Sequence, residues 1–217
     1  MRVSYHPAYV VPLPERHPFP MGKFSALRDL LVAEGVIDPA DIVEPREADW
    51  ADLLLVHTRR YLDALAAGTL TRAEERRMGL PWSEALVRRS RLAVQGTVNA
   101  MSMALVDGVA GNLAGGTHHA MPDWPEGFCV LNDVAVALRV LQQFDARLLE
   151  QRQRVLEDAP LGQGDGQRCG SHVQVFTLLS ARHATNGRAQ GLQFFLDALV
   201  TTVDVIDTVN NCISLRH

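Results

Sequence analysis

Long apolar runs, internal repeats and low-complexity tracts are missing from this chain of 217 residues, and cysteine is scarce. No stretch reaches the ~18 uninterrupted apolar residues of a membrane helix, and the segment from Met1 to His6 has no signal-like apolar core. A cytoplasmic protein without a membrane partner is therefore expected. Cys129, Cys169 and Cys212 are an odd number without Cys-x-x-Cys spacing. That argues against a disulfide framework and a cysteine zinc knot and leaves reduced thiols as the default. An excess of basic charge is absent too: 21 Lys and Arg stand against 25 Asp and Glu, a formal charge of -4. Direct nucleic-acid binding has no electrostatic footprint here, whereas a positively charged substrate is not repelled. With 47% hydrophobic residues the chain can bury one good-sized core, so a single domain over 1–217 is expected.

Helical and strand-like apolar patterns alternate along the chain, which favours an α/β fold. Arg2 to His6 reads as a short strand, and the run from Pro7 to Pro20 reads as a loop because each proline removes a backbone donor. Phe24, Leu27, Leu30 and Leu31 recur at helical spacing between Gly22 and Glu34, with Gly35 as a stop. Ser83 can cap a long helix ending near Gly108, with Leu86, Val94, Val98, Met101 and Leu105 near one face. Val109 to Ala114 then reads as a buried strand, Gly115 to Gly127 as the loop at its carboxyl end, and Asp133 to Leu141 as a helix. Strand, loop and helix in that order are the usual setting for sites in open α/β sheets.

Chemistry concentrates in that loop. Residues 114–120 read Ala-Gly-Gly-Thr-His-His-Ala. Adjacent histidines face one cleft only if the backbone turns sharply, which Gly115 and Gly116 permit, and an imidazole pair suits proton transfer near neutral pH. The pair alone also fits satisfied surface histidines. Residues 127–133, Gly-Phe-Cys-Val-Leu-Asn-Asp, follow shortly after.

Taken with these two motifs, Tyr5-His6-Pro7, the stretch from Arg16 to Phe24, Glu44-Pro45-Arg46-Glu47-Ala48 and the stretch from Leu54 to Leu62 give a chain that resembles the histone deacetylases of the arginase/deacetylase fold, in particular the class IV-like bacterial branch. The resemblance runs through residues 1–143. It implies a three-layer open parallel sheet with helices on both faces. It also implies a zinc-dependent amidohydrolase that cleaves the amide of acetyl-lysine in protein or of an acetylated polyamine, with Zn2+ as Lewis acid. On this resemblance His118 and His119 are the acid/base pair, Phe128 walls the channel for the lysine chain, Gly127 lets substrate approach the backbone, and His17 lies in a loop that helps form the pocket rim. Cys129 is read as a small buried residue, Asn132 and Asp133 as serving the fold, either of them able to cap the following helix, and Arg59 and Arg60 as a solvated face. His57 and Tyr61 lie in His-Thr-Arg-Arg-Tyr, a signature of that branch, although helix packing explains them at least as well, and Trp124 either shields the cleft or covers apolar surface.

Beyond residue 143 the pattern diverges, and the carboxyl-terminal part of the domain is expected to be missing. The family has Asp-x-Asp-x-His-x-Gly-Asp-Gly where this chain has Asp158 to Gly166. Asp158 and Asp165 fall on the carboxylates behind the two histidines, but Pro160 and Gly162 fall on two zinc ligands and carry no donor atom. No metal-type spacing links His172, His183 and Asp204 as substitutes. Three readings stay open: a zinc deacylase altered or truncated in its last third, an inactive acyl-lysine-binding protein, and an incomplete product without function.

Overall fold

Among the described residues four short strands, β1 (Val3–Ser4), β2 (Ile42–Val43), β3 (Val109–Asn112) and β4 (Gln174–Thr177), form a fully parallel sheet in the order β2-β1-β3-β4. The computed structural model describes residues 1–144 and the backbone of 174–177. Strand β1, Val3–Ser4, is central; Val3 pairs with Ile42 of β2, Ile42–Val43, on one side and with Gly111 of β3, Val109–Asn112, on the other. Strand β4, Gln174–Thr177, extends β3 in parallel with Asn112 opposite Thr177. Parallel neighbours require crossover connections, and here these carry helices.

The proline run contains one 3-10 turn at Pro7–Tyr9, which His6 Nδ1 caps by accepting from Ala8 N. Helix α1 spans Lys23–Ala33 and ends where Gly35 adopts φ +68 and Val36 N reaches back to the Leu31 carbonyl. Three shorter helices follow: α2 at Trp50–Leu53, α3 at Arg59–Ala67 and α4 at Arg72–Met78. Helix α4 begins in a reciprocal capping box between Thr71 and Glu74. Helix α5, Glu84–Asp107, is capped by the Ser83 hydroxyl, which accepts from Leu86 N, and closes at Gly108. It packs along β1, β3 and β4. Residues 133–144 form a further helix, α6, capped by Asn132 Oδ1 accepting from Ala135 N.

The core gathers Val3, Tyr9, Leu53, Tyr61, Met78 and Leu86, all at or near zero exposure. Leu86, Val94, Val98 and Met101 of α5 are buried as their spacing implies, but Leu105 is 54% exposed. Periodicity identifies the face of a helix; it does not say how far along the axis that face stays covered. In the last turn Met103 and Ala104 are buried instead. The α/β expectation holds, with a parallel sheet and helices packed on it.

Candidate functional site

The double-histidine loop leaves β3 after Asn112, passes the buried Leu113 and Ala114, and turns at Gly116 with φ +87. What fixes the turn is Asp133 at the start of α6, whose side chain is fully buried. Its Oδ1 accepts from Thr117 N at 2.7 Å and Thr117 Oγ1 at 2.9 Å; its Oδ2 accepts from Gly116 N at 3.0 Å and Thr97 Oγ1 at 2.5 Å. A buried carboxylate is tolerable only with such a set of donors. The polar chain continues inward: Asn112 Nδ2 donates to Thr97 Oγ1, and Tyr9 Oη donates to Asn112 Oδ1. Gly96 makes room for it within α5, since a Cβ there would collide with the Tyr9 hydroxyl and lie 2.8 Å from the Asn112 amide. Burial drives the Tyr9 pKa well above the usual tyrosine value, so Tyr9 stays a neutral donor.

Just beyond this anchor His118 and His119 are exposed, their ring centroids 4.2 Å apart. His118 Nδ1 lies 3.0 Å from the Gly116 carbonyl. A carbonyl only accepts, so neutral His118 carries its proton on Nδ1 and keeps a lone pair on Nε2. The other wall comes from Gly127 and Phe128, with φ +56 and +67. Such a φ at a phenylalanine costs on the order of 1–3 kcal/mol and needs outside support. Helix α4 supplies it: Gly127 N donates to the Arg77 carbonyl at 3.1 Å and Phe128 N to the Met78 carbonyl at 3.0 Å. Gly127 sits against His119, where an added Cβ would come within 3.5 Å of the imidazole.

Phe128 packs against Phe19 at 5.2 Å and His17 at 6.2 Å between ring centroids, over Gly79, where a Cβ would come within 2.9 Å of its ring. His17 is engaged at both nitrogens: Nδ1 accepts from Phe19 N, and Nε2 donates to the Gly79 carbonyl at 2.9 Å. His17 thus braces the aromatic rim while lying in it. His17 and Gly79 also line an open depression of about 610 Å³ with Arg72, Arg76 and Trp82; neither histidine of the pair lines it.

His118, His119, Gly127, Phe128 and His17 therefore come together around one end of the sheet. Asp158 and Asp165 lie outside the described residues, as do His172, His183 and Asp204. Among the described residues no three His, Cys, Asp or Glu side chains could together hold a metal ion, so the described donor set does not fit the expected zinc. Cys129 is buried, and burial pushes its thiol pKa up, against a nucleophilic role. Asn132 caps α6, whereas Asp133, also read as a cap, grips the histidine loop instead. Trp124 donates to Glu126 at 3.2 Å beneath the Arg77 guanidinium. Arg59 and Arg60 are exposed, Arg60 pairing with Glu74 at 2.8 Å. The role of α4 was not read from sequence; the Thr-x-x-Glu capping pattern at 71–74 with Gly79 behind it was the available signal.

The chain is similar to several known proteins. The family pattern described as histone deacetylase domain matches residues 17–177. An uncharacterized protein of Picosynechococcus sp. is 49% identical over 164 residues, covering 76% of this chain and 53% of that one. Acetoin utilization protein AcuC of Bacillus subtilis is 34% identical over 157 residues, 67% of this chain and 41% of AcuC. Histone deacetylase 2 of Arabidopsis thaliana is 31% identical over 169 residues, 75% and 43% of the two chains. The crystal structure of an HDAC homolog complexed with SAHA superposes with TM-score 0.55 at 29% identity over 66% of this chain and 42% of that one, and the HDAC homolog from Aquifex aeolicus gives 0.53 at 28% over 65% and 40%. The chain spans about half the length of the curated relatives it matches. No helix among the described residues is long and apolar enough to cross a membrane. Across the family pattern, the relatives and the shared fold, one assignment fits: the chain belongs to the histone deacetylase family.

Proposed function

We propose that this chain carries the proton-handling half of a deacylase site that hydrolyses the amide of acetyl-lysine, or of a similarly acylated amine. The supporting observation is the exposed His118–His119 pair on a loop pinned by the buried Asp133, with the Phe128 wall joined to it through Gly127. The Nε2 lone pair of His118 can take the proton of a water as its oxygen bonds to the amide carbon. The same proton, given from the pair to the leaving nitrogen as the C–N bond breaks, yields acetic acid and the amine, and the acid's proton passes to the amine to leave acetate and an ammonium. Phe128 and Phe19 offer apolar surface for an aliphatic lysine chain, and the net charge of -4 does not repel a cationic product. The family resemblance implies Zn2+ as well. The described side chains do not fit it, and Pro160 and Gly162 stand where the resemblance places two of its ligands.

Pro160 and Gly162 at two ligand positions of the family motif favour one second reading, an acyl-lysine-binding protein without turnover. Incubating the purified chain with an acetyl-lysine peptide separates the two. Acetate release is expected, with a drop of at least about 100-fold in His118→Ala and in His119→Ala, while the urea midpoint moves by no more than about 0.5 kcal/mol equivalent because both side chains are exposed. Unchanged turnover in either variant contradicts the assigned role, and peptide binding without turnover supports the second reading.

A further inference from the structure

The His-Thr-Arg-Arg-Tyr segment at residues 57–61 serves no step above, yet it is bonded to both ends of the loop that carries Gly127 and Phe128. Thr58 N donates to the Pro122 carbonyl at 3.0 Å, Arg60 donates to the Asp123 carbonyl, and Tyr61 Oη donates to the Val130 carbonyl at 2.6 Å. His57, 2% exposed, spans the loop alone: its Nδ1 is 3.1 Å from the Met121 carbonyl, and Asn132 N donates to its Nε2 at 3.0 Å. A carbonyl only accepts and a backbone N–H only donates. The single ionic form that satisfies both is the neutral ring with its proton on Nδ1. Asn132 carries the connection onward, its Nδ2 donating to the His118 carbonyl at 3.2 Å and the Ala120 carbonyl at 3.1 Å.

We infer that His57 is a positioning residue for the His118–His119 pair: acting through Asn132, its neutral imidazole sets the separation of residues 121 and 132 and thereby the placement of the His118 backbone. The inference deepens the proposed function and rests on that reading of the pair. Space-filling alone does not account for the geometry, because any apolar side chain of similar volume fills a buried gap without offering a donor to one end of a loop and an acceptor to the other. Tyr61, its ring 5.6 Å away, is the titratable neighbour, and burial keeps it neutral. Burial likewise lowers the His57 pKa, with no charged side chain among the described residues contributing.

The two bonds can be separated by substitution. In His57→Gln, Oε1 occupies the place of Nε2 and keeps the Asn132 bond; in His57→Asn, Nδ2 occupies the place of Nδ1 and keeps only the Met121 bond. Nitrogen-15 NMR of the full chain labelled at histidine is expected to show wild-type His57 protonated at Nδ1 and bare at Nε2 at neutral pH. The His118 ring signals should persist in His57→Gln and shift in His57→Asn, and kcat for acetyl-lysine peptide should fall about 10-fold in the Asn variant alone, with KM unchanged. A wild-type His57 protonated at Nε2 overturns the inference even if neither variant folds, and so do His118 signals that respond alike to both substitutions. If no acetate is released, the proposed function fails, while the tautomer and the His118 signals still decide the role of His57.

Discussion

The loop bearing His118 and His119 and the loop bearing Gly127 and Phe128 meet at one site but are fixed by opposite means. The first is held from beneath by a buried anion, with Asp133 gathering four donors. The second is held from the side mainly by neutral groups, namely the Arg77 and Met78 carbonyls, the Tyr61 hydroxyl and the His57 ring, with the Arg60 guanidinium on the Asp123 carbonyl as the one charged contact among these bonds. Charge-assisted bonds are individually stronger, so the first anchor concentrates stability in one residue, whereas the second spreads it over several weaker bonds. The proton handling proposed for the pair needs a backbone that does not move when the rings change charge, and Asp133 supplies that support. The aromatic wall needs only shape.

The largest expected effect breaks the first anchor. Asp133→Ala strands the amides of Gly116 and Thr117 and removes an acceptor of the Thr97 hydroxyl, and it is expected to cost about 4 kcal/mol, since bonds to a charged group contribute about 1.5–3 kcal/mol each and do not add fully. Urea unfolding measures this, and a loss below about 1 kcal/mol would show that the anion is not the anchor. Gly79→Ala attacks the second loop at its seat. The residue has φ +69 and the new methyl meets Phe128, so about 2 kcal/mol is expected from left-handed strain and displacement of the ring. An unaltered midpoint and an unmoved Phe128 would mean that α4 does not position the wall. The smallest effect is acid sensitivity of the neutral anchor. His57 titrates near 6.5 when unfolded and lower when folded, so the unfolded chain binds more protons between those values. Its contribution is complete above about 6.5 and is lost as pH falls through the folded value. The urea midpoint of the wild type should therefore drop more than that of His57→Gln between about pH 7.5 and 5.5; equal drops would remove His57 from the account.

The features legible in sequence were those with local causes. Ser83 and Gly108 bound α5 because a cap needs only its own side chain or a free φ, and Gly35 stops α1 for the same reason. The two motifs at 114–120 and 127–133 carried the family and most of the site. What stayed hidden depends on chain neighbours far away in sequence. Asp133 looks like a helix cap until β3 brings Thr117 to it, and His57 looks like packing until residues 121 and 132 arrive on either side. Leu105 shares an angular face with Met101, but what covers that face is decided by the rest of the fold. Helix α4, polar around most of its circumference, offered no apolar stripe, only its capping box.

One consequence of the α4 terminus concerns the gauge of the aromatic wall. The carbonyls of Arg77 and Met78 and the bare Cα of Gly79 work like the jaw of a vice, and the jaw's angle is set by the number of residues since Thr71. Adding one residue to this helix would turn its last carbonyls by about 100° and release Gly127 and Phe128 together. Chain length between 71 and 79 is therefore a hidden dimension of the wall, and its width can vary there without any change in the residues that form it.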